Sequence, residues 1–250
     1  MKRLADRFGE SARRCGSFAQ LRRLVTEVSG ELGFDYFALL HHASLRSPRT
    51  GFIRLDNYPA GWVAELVGRG WLSHDPVHLA SRRASTGFAW TELELLIRVG
   101  REQRQILERS REFGLGAGVT VPVNVPGEPS GSCSFAVRAG IALPRERLLC
   151  AELIGAHAFG AARRLANYPS RAQRPRLSRR EVQCLRLVAG GKTDWEIAVI
   201  LGISAETARQ YVKRARRAYD AVTRAQLVTF GLRDDWFAFD EALDLRHPRQ

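Results

Sequence analysis

The run from Ser178 to Tyr219, SRREVQCLRLVAGGKTDWEIAVILGISAETARQYVKRARRAY, decides the fold of the C-terminal part of the chain. Ser178-x-x-Glu181 and Thr193-x-x-Glu196 both have the spacing of a capping box, in which the hydroxyl takes the N3 amide and the glutamate returns to the cap amide. Each opens a stretch with apolar residues at helical intervals. Gly190 and Gly191 end the first helix, Gly202 ends the second, and Ser204 caps a third with only Gly202 and Ile203 between. Two helices joined by so short a glycine-containing connection must cross steeply, which is the geometry of a helix-turn-helix. In the third helix Ala205, Ala208, Val212, Ala215 and Tyr219 fall on one stripe, and the basic residues project elsewhere. The stripe docks the helix and leaves its basic flank for a DNA major groove. Arginine can donate twice to guanine, and glutamine can pair two-way with adenine. Arg209, Gln210 and Lys213 are therefore assigned to base edges and Arg214, Arg216 and Arg217 to phosphates, with Thr207 in the first turn as a further DNA-binding candidate.

Charge points the same way. The 250 residues carry a formal net charge of +13, and residues 170–230 hold 13 Lys/Arg against 5 Asp/Glu, while residues 1–169 hold 23 against 16. The basic excess is densest where the helix-turn-helix is read, and neutralising phosphates releases condensed counterions. A hydrophobic content of 45% over this length allows one large domain and one small one. Cys15, Cys133, Cys150 and Cys184 are scattered without a C-x-x-C pair, so reduced thiols are expected and a zinc site is not. No stretch has the apolar length of a membrane span or a signal peptide, which places the protein in the cytoplasm.

Upstream, residues 17–32 read as an amphipathic helix through Phe18, Leu21, Leu24, Val25, Val28 and Leu32. Residues 35–42, 50–58, 118–125 and 132–138 are short, rich in β-branched and aromatic residues, and predict an antiparallel sheet. Helices are predicted over 59–68, over 91–113 with Thr91 and Glu94 as its capping box, and from Pro144 to about Ala166. The fold class is α+β: an N-terminal α/β/α sandwich around a mostly antiparallel sheet over 1–166, and an all-α helix-turn-helix domain over 177–250. Residues 167–176, with two prolines and three arginines, read as the linker between them.

One aromatic-carboxylate cluster is not required by propensity, although each member taken singly also suits an ordinary core residue or turn. Tyr58 and Trp62 lie four apart across a helix opened by Pro59, so a phenol and an indole N–H point into one cavity. Asp75 precedes Pro76 in an extended or turn geometry that aims its carboxylate inward, where a ligand amide is a suitable partner. Trp90 adds an aromatic wall and Ser134 a hydroxyl. A metal or acid-base reading of His74-Asp75-x-x-His78 competes, but Pro76 disfavours the helix that would align the histidines. His41 and His42, adjacent on a strand, face opposite sides of the sheet.

From Leu177 to Leu232 the sequence resembles the LuxR-type DNA-binding domain, through Glu181, Gly191-Lys192-Thr193, Glu196-Ile197-Ala198, Ile203-Ser204, and Arg224 with Gln226. It departs at Ala208, where valine is usual, and at Tyr211, where histidine is common. Residues 34–42 (FDYFALLHH), 57–62 (NYPAGW), 75–76 (DP), 88–92 (FAWTE) and 112–122 (EFGLGAGVTVP) resemble the autoinducer-binding domain of LuxR-type quorum-sensing receptors. The resemblance implies a transcription regulator that is no enzyme and needs no cofactor or metal. It implies an N-acyl homoserine lactone between the sheet and one helical layer. By resemblance, Trp62 donates to the lactone carbonyl, Tyr58 to the acyl carbonyl, and Asp75 accepts from the amide N–H. Thr120 and Ser134 lie near the acyl head, and Trp90 covers the lactone ring. Leu66 stands where tyrosine is frequent and removes a polar group beside the acyl chain, which admits an aryl or branched acyl group. The expected partners are a near-palindromic double-stranded DNA site, a second copy of the chain, and RNA polymerase as a candidate. A phosphorylation-controlled response regulator is the main alternative, and it lacks its acidic cluster here. A nucleoid protein would leave the aromatic-carboxylate cluster unexplained.

Overall fold

A computed structural model describes residues 2–42, 52–125, 128–167 and 174–244. They form two compact units, 2–125 with 129–167 and 174–244. The linker expected at 167–176 lies mostly outside the described residues, as do Thr50 and Gly51 of the expected second strand and the end of the C-terminal tail.

The first unit begins with α1 (Lys2–Arg14) and α2 (Phe18–Glu31), followed by β1 (Tyr36–His41) and β2 (Arg54–Asp56). Next come α3 (Ala60–Gly68), α4 (Pro76–Ser81), β3 (Phe88–Ala89), α5 (Leu93–Leu96) and α6 (Arg101–Glu112). The unit closes with β4 (Leu115–Val123), β5 (Gly131–Arg138) and α7 (Leu148–Leu165). The sheet order is β2-β1-β5-β4-β3, and every neighbouring pair is antiparallel. Strand period divides the two faces. Phe37, Leu39 and Phe135 are buried in a core shared with α1, α2 and α7. Ala38 and Leu40 face the other layer, where α4 and α6 pack on the sheet. His41 meets Phe159 of α7 and His42 stacks on His78 of α4, so the two histidines do face opposite sides.

Three local expectations are corrected. The helix expected over 91–113 starts late and is split: Phe88 and Ala89 pair with Thr120 and Val119 as a strand, and a tight turn at Trp90–Glu92 comes before α5, after which Ile97 takes an extended backbone (φ −142°, ψ 157°). The chain therefore turns at Ala89, whose N–H donates to Glu92 Oε2 at 3.0 Å, and this replaces the Thr91/Glu94 box. A second break precedes α6, where the Gly100 N–H donates to Gln103 Oε1. Asp75 does take the extended backbone expected before Pro76 (φ −58°, ψ 119°), and it does so as the N-cap of α4, with proline as the first residue of that helix. The expected strand over 50–58 shortens to β2. Helix α1 was not legible, because only Ala5, Phe8, Gly9 and Ala12 of its thirteen residues are buried and charges surround them.

The second unit comprises α8 (Arg179–Ala189), α9 (Asp194–Leu201), α10 (Ala205–Ala218), α11 (Arg224–Arg233) and α12 (Phe239–Asp244). Both capping boxes close in both directions at Ser178/Glu181 and Thr193/Glu196. Ser204 Oγ accepts from the Thr207 N–H at 3.0 Å. Gly202 ends α9 at φ 63°, a left-handed geometry that glycine adopts without strain. Ala208, Val212, Ala215 and Tyr219 dock α10, but Ala205 is exposed, because the docking stripe begins one turn later.

Candidate functional site

In the first unit Tyr58, Trp62, Leu66, Asp75, Trp90 and Ser134 line one partly enclosed cavity of about 770 Å³ of atom-free space, mouth included. The elements that bring them together are far apart in sequence. Helix α3 supplies Trp62 and Leu66, the cap of α4 supplies Asp75, β5 supplies Ser134, and the turn after β3 supplies Trp90. Thr120 is the one expected ligand residue outside this lining, and it sits directly behind. Its buried hydroxyl accepts from the Trp90 indole N–H at 2.8 Å and lies 2.8 Å from Ser134 Oγ. Gly118 makes that arrangement fit, since a Cβ there would fall 2.6 Å from Trp90 Cε2.

Asp75 is 8% exposed, and its Oδ1 accepts from the Val77 and His78 N–H groups. That cap holds the carboxylate at the cavity wall. No hydrogen bond engages its Oδ2, or the Trp62 indole N–H, among the described residues. Burial, and after it the nearby Asp75 carboxylate, pushes the Tyr58 phenol well above its ordinary range, with the Ser134 hydroxyl opposing. Tyr58 is thus a neutral hydroxyl at working pH, able to donate to a carbonyl. The cavity combines two N–H or O–H donors and one carboxylate acceptor at one end with Ala38, Leu40, Val63 and Ile106 as apolar wall. Such a lining suits a molecule with a small polar head and an apolar tail. The His74 ring bonds Glu102 and the His78 ring bonds the Leu72 carbonyl, so the pair does not converge.

In the second unit α10 displays Arg209, Gln210, Lys213, Arg214 and Arg217 to solvent. Two of these are tethered in a way that the sequence reading missed. Glu206 Oε2 accepts from Arg209 at 3.1 Å and its Oε1 accepts from Gln210 at 2.7 Å, the ordinary reach of residues three and four apart on a helix. Thr207 is half-buried and held by the Ser204 cap. Arg216, the remaining phosphate candidate, donates through its guanidinium to the Ala221 and Val222 carbonyls and ties the end of α10 to the following turn. The motif residues beyond α10 are scaffold. Arg224 pairs with Asp194 at 2.6 Å and donates to the Lys192 carbonyl, while Gln226 accepts from the Val222 N–H. In the tail, Trp236 donates to the Tyr219 hydroxyl and Phe237 is buried, whereas Phe239 is exposed.

Comparison with known proteins agrees with both halves. Residues 17–164 match the family described as autoinducer binding domain, and residues 175–230 match the bacterial regulatory proteins of the luxR family. The chain is 28% identical to the transcriptional activator protein AhyR of Aeromonas hydrophila over 85% of its length and 84% of the relative's. It is also 28% identical to the quorum sensing-dependent transcriptional regulator RpaR of Rhodopseudomonas palustris, over 92% and 95% of the two chains. Among solved structures, the crystal structure of Escherichia coli SdiA superposes with a TM-score of 0.66 at 25% identity, covering 90% of this chain and 94% of that one.

Proposed function

The chain belongs to the LuxR-type quorum-sensing transcription regulators, which join an autoinducer-binding domain to a helix-turn-helix and are not enzymes, and from that premise we propose that its signal is an N-acyl homoserine lactone. The observation that carries this reading is the convergence of Tyr58, Trp62, Asp75, Trp90 and Ser134 on one cavity. The lactone and acyl carbonyls accept from Trp62 and Tyr58, and the amide N–H of the ligand goes to Asp75 Oδ2. An amide between two carbonyls needs that sequence of donors and acceptor, and each buried partner costs free energy when left empty. Trp90 closes over the lactone ring.

Ligand binding adds core to the first unit and stabilises it by an amount that grows with concentration above Kd. The stabilised protein acts as a homodimer in the cytoplasm, with two recognition helices on half-sites of a near-palindromic operator. The outward face of α7 is the dimer contact in this reading. Leu149 and Leu153 there are 79% and 52% exposed, while Ile154 and Phe159 of the same helix are buried in their own domain. On DNA, Arg209, Gln210 and Lys213 read bases, with Thr207 bracing their helix, and Arg214 and Arg217 hold phosphates.

Native mass spectrometry of the full chain expressed with and without lactones tests the ligand and the stoichiometry together. A lactone-sized mass adduct on a dimer is expected, and Trp62→Phe should lose it. Retention by that variant would reject the assignment of the indole. For the interface, Lys213→Ala should weaken target DNA more than random DNA, and an equal loss on both would move Lys213 to the phosphate class.

A further inference from the structure

The ligand cavity has a second polar wall, one helical turn beyond Asp75 on α4. His78 lines it and is only 8% exposed. Its Nδ1 lies 3.1 Å from the Leu72 carbonyl oxygen. A carbonyl can only accept, so Nδ1 carries the proton and Nε2 of the neutral ring holds a lone pair. No hydrogen bond engages that Nε2 among the described residues.

The ring is not free to turn toward another partner. It stacks on His42 with centroids 4.4 Å apart and planes 17° apart. His42 is itself fully occupied. Ser81 Oγ donates to the His78 carbonyl, so its oxygen accepts from His42 Nδ1, and the Ser132 hydroxyl serves His42 Nε2 at 2.9 Å. Burial first, then the neighbouring His78, His41 and Arg82, pushes His42 down to about 2 and keeps it neutral. Of the two stacked imidazoles, one has both nitrogens satisfied and the other offers an acceptor to the cavity.

Strand β1 shows where that acceptor lies. Ala38 pairs with Ser134, beside the polar head cluster, and His42 comes four residues later, roughly 13 Å along a strand. The His78 backbone is tied to Asp75, but its ring stacks on His42 at the far end of that run, so the side chain reaches from the head cluster toward the portion of the cavity that an acyl tail would occupy. A plain alkyl tail would cover a buried acceptor and leave it empty, which is unfavourable, and a site built to bond a hydroxyl discriminates against the analogue lacking one.

We propose that the acyl group of the signal carries a hydroxyl on its distal part, and that His78 Nε2 accepts the hydrogen bond from it. The inference rests on the lactone reading of the same cavity. It is tested on the purified full chain with two matched pairs of homoserine lactones, octanoyl against 8-hydroxyoctanoyl and cinnamoyl against 4-hydroxycinnamoyl. Isothermal titration should find the hydroxylated member of at least one pair bound about 3- to 10-fold more tightly, the range of one net hydrogen bond. His78→Leu should bring that ratio close to one. In the wild-type chain the imidazole Nε2 nitrogen resonance should shift with the hydroxylated ligand and not with its partner, which decides the matter even where the variant does not fold. Equal affinities within both pairs, or a preference that survives His78→Leu, would overturn the proposal and leave the lactone reading standing. Binding of none of the four lactones would overturn both.

Discussion

The Trp90 indole N–H donates to the Thr120 hydroxyl, and that hydroxyl lies 2.8 Å from the hydroxyl of Ser134. Because Thr120 already accepts from Trp90 and is fully buried, its own proton is best placed toward Ser134, which frees the Ser134 proton for the cavity. A residue outside the cavity lining thereby orients two that line it. Thr120→Val keeps the shape and strands the indole N–H, with an expected cost of roughly 1–3 kcal/mol. A drop in the melting temperature of the first unit, together with weaker lactone binding, would be the result. An unchanged melting temperature would mean that Trp90 finds another acceptor.

Asp75 does two tasks that substitutions can separate. Asparagine retains a side-chain oxygen for the Val77 and His78 amides but replaces the other carboxylate oxygen by a donor. Asp75→Asn should therefore unfold near the wild-type temperature and lose most lactone affinity. Asp75→Ala should lose the affinity and also about 1 kcal/mol of stability through the missing cap. Equal stability of the two variants in urea titrations would show that the cap contributes little.

The half-buried His42 predicts an acid sensitivity with a definite sign. Its folded value of about 2 lies below the ordinary 6.5, so the unfolded chain binds a proton that the folded chain refuses. The associated stability is fully present above about pH 6.5 and falls as pH drops toward 2, by up to about 1.4 kcal/mol per pH unit. Denaturant midpoints for the first unit between pH 7 and pH 5 should fall accordingly, and His42→Gln should flatten that slope. A slope that is the same in the variant would assign the proton uptake to other groups.

On α10, Glu206 holds Arg209 and Gln210, the two residues proposed above to read bases together with Lys213. Glu206→Gln removes a negative charge from the binding face and loosens Arg209. Fluorescence anisotropy should report a several-fold gain in affinity for both target and random DNA at low salt. A loss confined to the target would instead make Glu206 a base-reading residue, through a cytosine amine.

Residues 234–237 are part of the DNA-binding unit. Phe237 is 4% exposed, and Trp236 donates to the Tyr219 hydroxyl, which in turn donates to Asp234. Phe237→Ala should cost about 3–5 kcal/mol, the range for emptying a buried aromatic site. Thermal unfolding of the second unit reads the effect, and a shift of less than a few degrees would place Phe237 outside the cooperative core.

Sequence alone determined what is local. The caps at Ser178, Thr193 and Ser204 and the turn at Gly202 specify helices through contacts three or four residues away, so the helix-turn-helix was legible before any packing was known. Strand alternation likewise separated His41 from His42. Tertiary structure decided what depends on distant partners. The pairing of Phe88 and Ala89 with β4 and the extended backbone at Ile97 divided the helical pattern expected over 91–113, and packing against His157 and its neighbours recruited the weakly apolar α1. The same reason governs the cavity: its residue types could be read from the chain, but Arg216 turning back to Ala221 and His78 offering Nε2 beside His42 follow from contacts that exist only once the elements have packed.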